Sequence, residues 1–268
     1  KGGTSAPLAY PSGFVSAIQA IKSAPATPYM EAEYVAVEDG SITSHYIKSA
    51  KLYNHTAVYA YEFATQYNLN SLDFGDASNN ITTIEADAFT SANLAGIVLP
   101  DTITSLQDAC FAQAFIATLE LPAQITEIPK NAFRGINAAY SSETDEELPI
   151  NIILPPNLTK IGNYCFYNAQ IKQISIPDTV TEIGESAFQY CIGLTSFVIP
   201  PLLQKIPQYM LQGCENITAI TIPAAVTEIG EGAFENTGIT SITIPATITT
   251  LGMSMLRSCV NLATINIQ

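Results

Sequence analysis

The chain contains no tryptophan, two histidines, and ten basic residues against 24 acidic ones in a total of 268. Each shortage narrows what it can do. A formal charge of −14 repels phosphate backbones and anionic lipid headgroups, so nucleic acid is not an expected partner. Catalysis needs a nucleophile beside a base, paired carboxylates or a metal. The chain has no G-x-S-x-G, H-E-x-x-H, Walker loop or dinucleotide fingerprint. His45 and His55 are the only imidazoles, and the sequence names a partner for neither. The five cysteines show no zinc spacing, and an odd number argues against a disulfide framework. No catalytic residue, cofactor or metal is therefore expected. No apolar run approaches the roughly 20 residues needed to span a bilayer.

What is abundant is hydrophobic residues, 47% of the total, and they recur. Pro100, Pro122, Pro155, Pro177, Pro200, Pro223 and Pro245 each follow an apolar residue, at intervals of 22, 33, 22, 23, 23 and 22 residues. A period near this length marks a solenoid. The interval of 33 holds a polar, acidic insertion, Asn137 to Leu148, expected as a surface loop. Val58 to Gly75 fits the template loosely as a first unit, and "ITTLGMSMLRSCVNLATINIQ", without the proline, is the last. About nine coils therefore fill residues 51–268, the outermost atypical as stack ends usually are.

Within one unit the apolar positions are Val180, Ile183, Ala187, Phe188, Leu194, Phe197 and Ile199. The last three have the spacing of a strand with one buried face, and Pro200, lacking an N–H, ends it. Ile183 is followed by Gly184, but Pro129 and Pro207 hold that column in sister units, so its φ is compatible with about −65°. That placing predicts a short helical or 3₁₀ turn over Glu185 to Cys191 that carries Phe188 into the core. A single unit cannot offset the entropy of ordering itself, so stability has to come from stacked coils that share apolar layers. The expected fold is a right-handed repeat solenoid. A parallel β-sheet with short strands forms one face, with turns and short helical or 3₁₀ segments on the other.

Two kinds of column carry polar chemistry. Glu127, Lys160, Glu182, Lys205 and Glu228 alternate in sign just before the apolar residue of the short strand. With parallel coils about 4.8 Å apart, each charge meets an opposite neighbour. Such exposed pairs contribute about 0–1 kcal/mol each and help to fix register. Cys191, Cys214 and Cys259 share a second column, and Cys110 and Cys165 a third in which sister units have alanine. Small buried side chains belong there, so the thiols read as packed and free, although Cys191 and Cys214 lie in adjacent coils, where a bridge is geometrically conceivable.

The units "TEIGESAFQYCIGLTSFVIP" and "TEIGEGAFENTGITSITIP", with the pattern xIGxxAFxxCxxLTxIxIP, resemble the BspA-like leucine-rich repeats of bacterial surface and secreted proteins. The resemblance covers Val58 to Gln268. It implies a curved solenoid and a secreted or cell-surface location, a lipid anchor on a segment upstream of Lys1 being one form of attachment. For some members it also implies adhesion to host or microbial proteins. It transfers no site residues, because the recurring positions are structural. The immunoglobulin-like modules that accompany the repeats in some members have no counterpart here.

Residues 1–50 lie outside the repeats. Ser12 precedes apolar residues at helical spacing, Phe14, Ile18 and Ile21, which predicts a helix within Pro11 to Ala24. "AEYVAVEDGSITSHYI" alternates around Asp39-Gly40 and predicts a hairpin. Fewer than about 60 residues rarely hold a core of their own, so helix and hairpin together are expected to cap the first coil.

If the solenoid binds, its exposed strand positions form the surface. Two residues before the proline column they read Asp73, Val98, Glu120, Ile153, Ser175, Val198, Thr221, Thr243 and Asn266, a nearly neutral strip without aromatic platforms for sugar rings. Ser175, Val198, Thr221 and Thr243, in the most regular coils, are the candidate surface for a protein or extended peptide, such as a host or microbial surface protein. A sheet that is merely solvated is the alternative. A glycan-binding accessory protein and an enzyme with an unrecognised site are the other functions open at this point. The acidic run Glu143 to Glu147 suits a basic partner or a loosely held calcium ion, though a charge run in a loop is usually only solvated. "DFGDASNN", from Asp73, has oxygen ligands without the spacing of a calcium loop. Nothing in the sequence fixes an oligomeric state.

Overall fold

The structure, a computed structural model, describes residues 28–39, 42–75, 80–95, 97–139 and 146–268. The helix expected within Pro11 to Ala24 lies outside them. From Ala57 onward the chain winds through nine coils, each marked by a two-residue strand. These strands pair in parallel in three ladders. Ala57–Val58, Thr83–Ile84 and Ser105–Leu106 make the first. Glu127–Ile128, Lys160–Ile161 and Glu182–Ile183 make the second, and Lys205–Ile206, Glu228–Ile229 and Thr250–Leu251 the third. The apolar second residue is buried in eight of the nine; Leu251, in the last coil, is exposed, as are Ile265 and Ile267.

The extended column that follows the turn is laddered only in places. Thr118–Glu120 pairs with Asn151–Ile153, and Ser241–Ile244 with Thr264–Ile267. Around Val198 it keeps its alternation, Phe197 and Ile199 buried on either side of the exposed side chain, without a strand ladder.

The turn between the two columns is where the coils are joined, and it departs from the expected helical or 3₁₀ segment. No helix occurs among the described residues. Two positions in every coil, two before and two after the core Phe column, have left-handed φ: 55° and 60° at Ser186 and Tyr190, 57° and 56° at Ala109 and Gln113. A right-handed helix cannot contain such residues. The result is that alternate N–H groups point along the stack. Ser186, Phe188 and Tyr190 donate to the carbonyls of Gln208, Met210 and Gln212 in the next coil at 2.8–3.0 Å, while Gln189 and Cys191 donate back to Ser186 and Phe188. A helix would turn the later of these N–H groups back into their own coil instead of toward the neighbour. Pairing between coils therefore overrides the local preference.

An L-residue held at positive φ costs about 1–2 kcal/mol, and glycine avoids that at a smaller entropic cost. Ala109→Gly is accordingly expected to raise the unfolding free energy by about 0.5–1 kcal/mol, read from the urea midpoint. An unchanged or lower midpoint would mean that this turn is not left-handed in solution.

Phe63, Phe89, Phe111, Phe133, Phe166 and Phe188 are fully buried and stack ring on ring through six coils. Successive centroids are 5.2–5.7 Å apart and the planes lie within 7–13° of parallel. Phe133 and Phe166 keep this spacing across the 33-residue interval, so the insertion leaves the core column intact. Leu211, Phe234 and Leu256 continue it. Close stacking also explains Gly184, where a Cβ would come within 2.4 Å of the Asn163 backbone nitrogen in the preceding coil.

At the other end β1 (Tyr29–Asp39) and β2 (Ile42–Tyr53) form an antiparallel hairpin with a register shift between Glu33 and Tyr34. β2 also pairs in parallel with Ser71–Asp73 of the first coil, Ala50 lying opposite Leu72. Ile47, Ala50 and Leu52 are buried, so the apolar core runs from the hairpin into the coils without a break.

Candidate binding surface

Strand alternation decides which side chains face outward. Val198 is 76% exposed between buried Phe197 and Ile199, and Val98 is 82% exposed between buried Ile97 and Leu99. Ser175 and Thr221 are exposed and Thr243 is half-buried. The coils that carry them are joined just upstream, where Thr195 N–H donates to Lys172 O at 3.3 Å and Thr240 N–H to Thr218 O at 3.2 Å. The four candidate side chains thus occupy one face of four adjacent coils, and none is charged. At the N-terminal end of the strip the Asp73 carboxylate is 2.8 Å from Lys51 Nζ.

The alternating charge column closes as ion pairs at two of its four steps, Lys160–Glu182 and Lys205–Glu228, both at 2.9 Å. Glu182 and Lys205 end separate ladders. The pairs are largely exposed and contribute little to stability.

All five thiols are free and buried. Cys191, Cys214 and Cys259 donate to the carbonyls of Phe166, Phe188 and Phe234 in the preceding coil at 3.0–3.2 Å. Burial pushes the Cys214 thiol up to about 12 and raises Cys110, Cys165 and Cys191 as well. A thiol held protonated in this way is not a nucleophile.

His55, unlike the reading from sequence, has a specific partner. It is 2% exposed. Its Nε2 is 2.9 Å from Glu62 Oε1 and its Nδ1 is 2.9 Å from Tyr53 O. Glu62 Oε2 accepts the Tyr59 N–H at 2.9 Å, and the Tyr59 ring lies 5.3 Å from the imidazole. Burial lowers the imidazole pKa, and Glu62 and the Tyr53 carbonyl outweigh it, so the net shift is upward. This clasp ties the end of β2 to the first coil and occupies both ring nitrogens. The His45 side chain lies outside the described residues.

Among the described residues no three His, Cys, Asp or Glu side chains gather to hold a metal ion, and no helix is long and apolar enough to cross a membrane. Residues 140–145 of the acidic insertion and 76–79 of the Asp73 segment are not among those described.

Aromatic residues do gather, on the turn edge. Tyr164 and Tyr167 meet edge to face at 5.9 Å, Tyr167 and Tyr190 at 5.6 Å, and Arg134 lies over the Tyr167 ring at 5.5 Å. The three tyrosines come from three different columns, two before, one after and two after the Phe, so reading one column at a time scatters them. The left-handed turn is what brings these positions in neighbouring coils side by side.

Short parallel strands, a stacked apolar column and a repeat of 22–23 residues define a leucine-rich-repeat solenoid. The family model of the BspA type leucine rich repeat region matches in 6 copies over residues 56–149 and 145–263, and the chain belongs to that family. Similar solved structures include a leucine-rich repeat protein from Eubacterium ventriosum ATCC 27560, at 20% identity, covering 90% of this chain and 72% of that one with a TM-score of 0.52. Another, from Bacteroides ovatus ATCC 8483, is 17% identical and covers 89% of this chain and 70% of that one, with a TM-score of 0.53. At such identities the likeness is one of fold alone. No curated protein matches the sequence.

Proposed function

We propose that the chain is a non-catalytic binding scaffold, secreted or displayed at the cell surface, that takes a protein or an extended peptide on the strip carrying Ser175, Val198, Thr221 and Thr243. The supporting observation is that Val198 on this strip, like Val98 earlier in the same column, is held more than three-quarters exposed within coils whose other valines and isoleucines are mostly buried. A partner gains by covering them, while the hydroxyls of Ser175 and Thr221, in the coils on either side of Val198, offer hydrogen bonds. Membership in a repeat family whose rigid coils present extended surfaces supports the same reading. The hairpin, in this view, closes the first coil.

The test uses an immobilised parent chain and a Val198→Arg, Thr221→Arg variant, each exposed to extracts of bacterial and host surface proteins. A partner retained by the parent should bind the variant about tenfold more weakly or worse. The melting temperature should not change, because both side chains point outward. Equal retention by parent and variant would end this reading.

A further inference from the structure

We infer a second binding site on the turn edge, built from Tyr164, Tyr167 and Tyr190 with Arg134, Gln189 and Gln212, whose ligand is a neutral glycan. Tyr164 and Tyr190 are 41% and 40% exposed, yet neither ring is loose. Tyr167 braces both edge to face. Tyr190 also lies against the backbone of Gly213 in the next coil, where a Cβ would come within 2.4 Å of its ring. Beside the rings runs a row of oriented amides: Gln189 donates to Gln212, and Gln212 donates to Glu235 Oε2 at 2.8 Å.

A pyranose has an apolar C–H face and a rim of hydroxyls. Braced phenol rings offer the first a surface, and amides and phenol hydroxyls offer the second partners of both polarities. The two ends of the site carry opposite charges, Arg134 over Tyr167 and Glu235 beside Gln212, so no net charge selects an anion and a neutral ligand suits it. Two rings some two-fifths exposed supply far less than the roughly 800 Å² per side of a standard protein interface. This site is separate from the strand strip and does not depend on it.

The repeat itself supplies variants that preserve the fold. Ala109 holds the Tyr164 column at φ 57° against 55°, and Ser91 and Ser258 hold the Tyr190 column at 59° and 60° against 60°. Tyr164→Ala and Tyr190→Ser therefore copy residues the solenoid already uses. The absence of tryptophan leaves tyrosine as the only strong intrinsic fluorophore. The full chain is titrated with cellohexaose, maltohexaose and chitohexaose, followed by tyrosine emission and by calorimetry. At least one saccharide should bind at millimolar concentration or below. Tyr164→Ala and Tyr190→Ser should each weaken it about tenfold or more, and Val198→Arg should leave it unchanged. Tyr190→Phe, which keeps the ring, should lose less than Tyr190→Ser. Absence of binding by all three saccharides, or binding that survives both substitutions, overturns the proposal. So does a protein partner that is lost with these two substitutions while no saccharide binds.

Discussion

Replacing Phe166 with alanine is expected to destabilise the protein by about 3–5 kcal/mol. The ring is fully buried and sits between Phe133 and Phe188, each with its centroid 5.2 Å away. Its removal deletes two stacked pairs as well as the transfer free energy of the ring, and leaves a cavity that both neighbours line. Because adjacent coils share this layer, the loss should reach beyond the substituted coil, and hydrogen-exchange protection should fall at Phe133 and Phe188 as well. Phe166→Leu is the control. Leu211 already holds the same column fully buried, so that change should cost less than about 1.5 kcal/mol. A loss below about 1 kcal/mol for Phe166→Ala, well under the range for a buried ring, would contradict the stacked core.

The parts of this architecture that repeat in a single column are legible in the sequence. The proline column and the Phe column fix the period, and with it the number of coils and the residues that face inward. The turn is not legible, because its left-handed positions are filled by Tyr61, Gln113, Ala109 and Thr65 as readily as by Gly135 or Asn236. Hydrogen bonds to the next coil impose that conformation, and no local propensity announces them. The tyrosine edge is hidden for the same reason, since it exists only once the turn has placed three columns together. Of the strand strip, the outward direction of Val198 follows from alternation alone. The His55–Glu62 pair escapes because both residues lie in the first coil, which fits the repeat template only loosely.

That pair gives the second large effect: Glu62→Ala should cost about 2–3 kcal/mol and reverse the sign of the pH dependence that His55 contributes. Both ring nitrogens of His55 face acceptors, Tyr53 O and a Glu62 carboxylate oxygen, so both bonds form only when the ring is an imidazolium. In the parent, burial opposes that charge, but Glu62 and the Tyr53 carbonyl outweigh burial and raise the pKa. A histidine whose folded pKa lies above the ordinary value of about 6.5 contributes stability that is fully present below that pH. The contribution is lost as pH rises through the folded value, so the parent should weaken on the alkaline side. In the variant both contributions of Glu62 are gone, and burial favours the neutral ring. The folded pKa then falls below the ordinary value, and stability should instead decline as pH drops. The cost is bounded because the imidazole sheds its proton rather than persist as an uncompensated buried cation. What remains is the loss of the Glu62 bond at His55 Nε2 and of the carboxylate that accepts the Tyr59 N–H. Urea midpoints of parent and variant across about pH 5 to 8, the range in which histidine titrates, should therefore cross in slope. Parallel profiles would show that His55 is not held as a cation by Glu62.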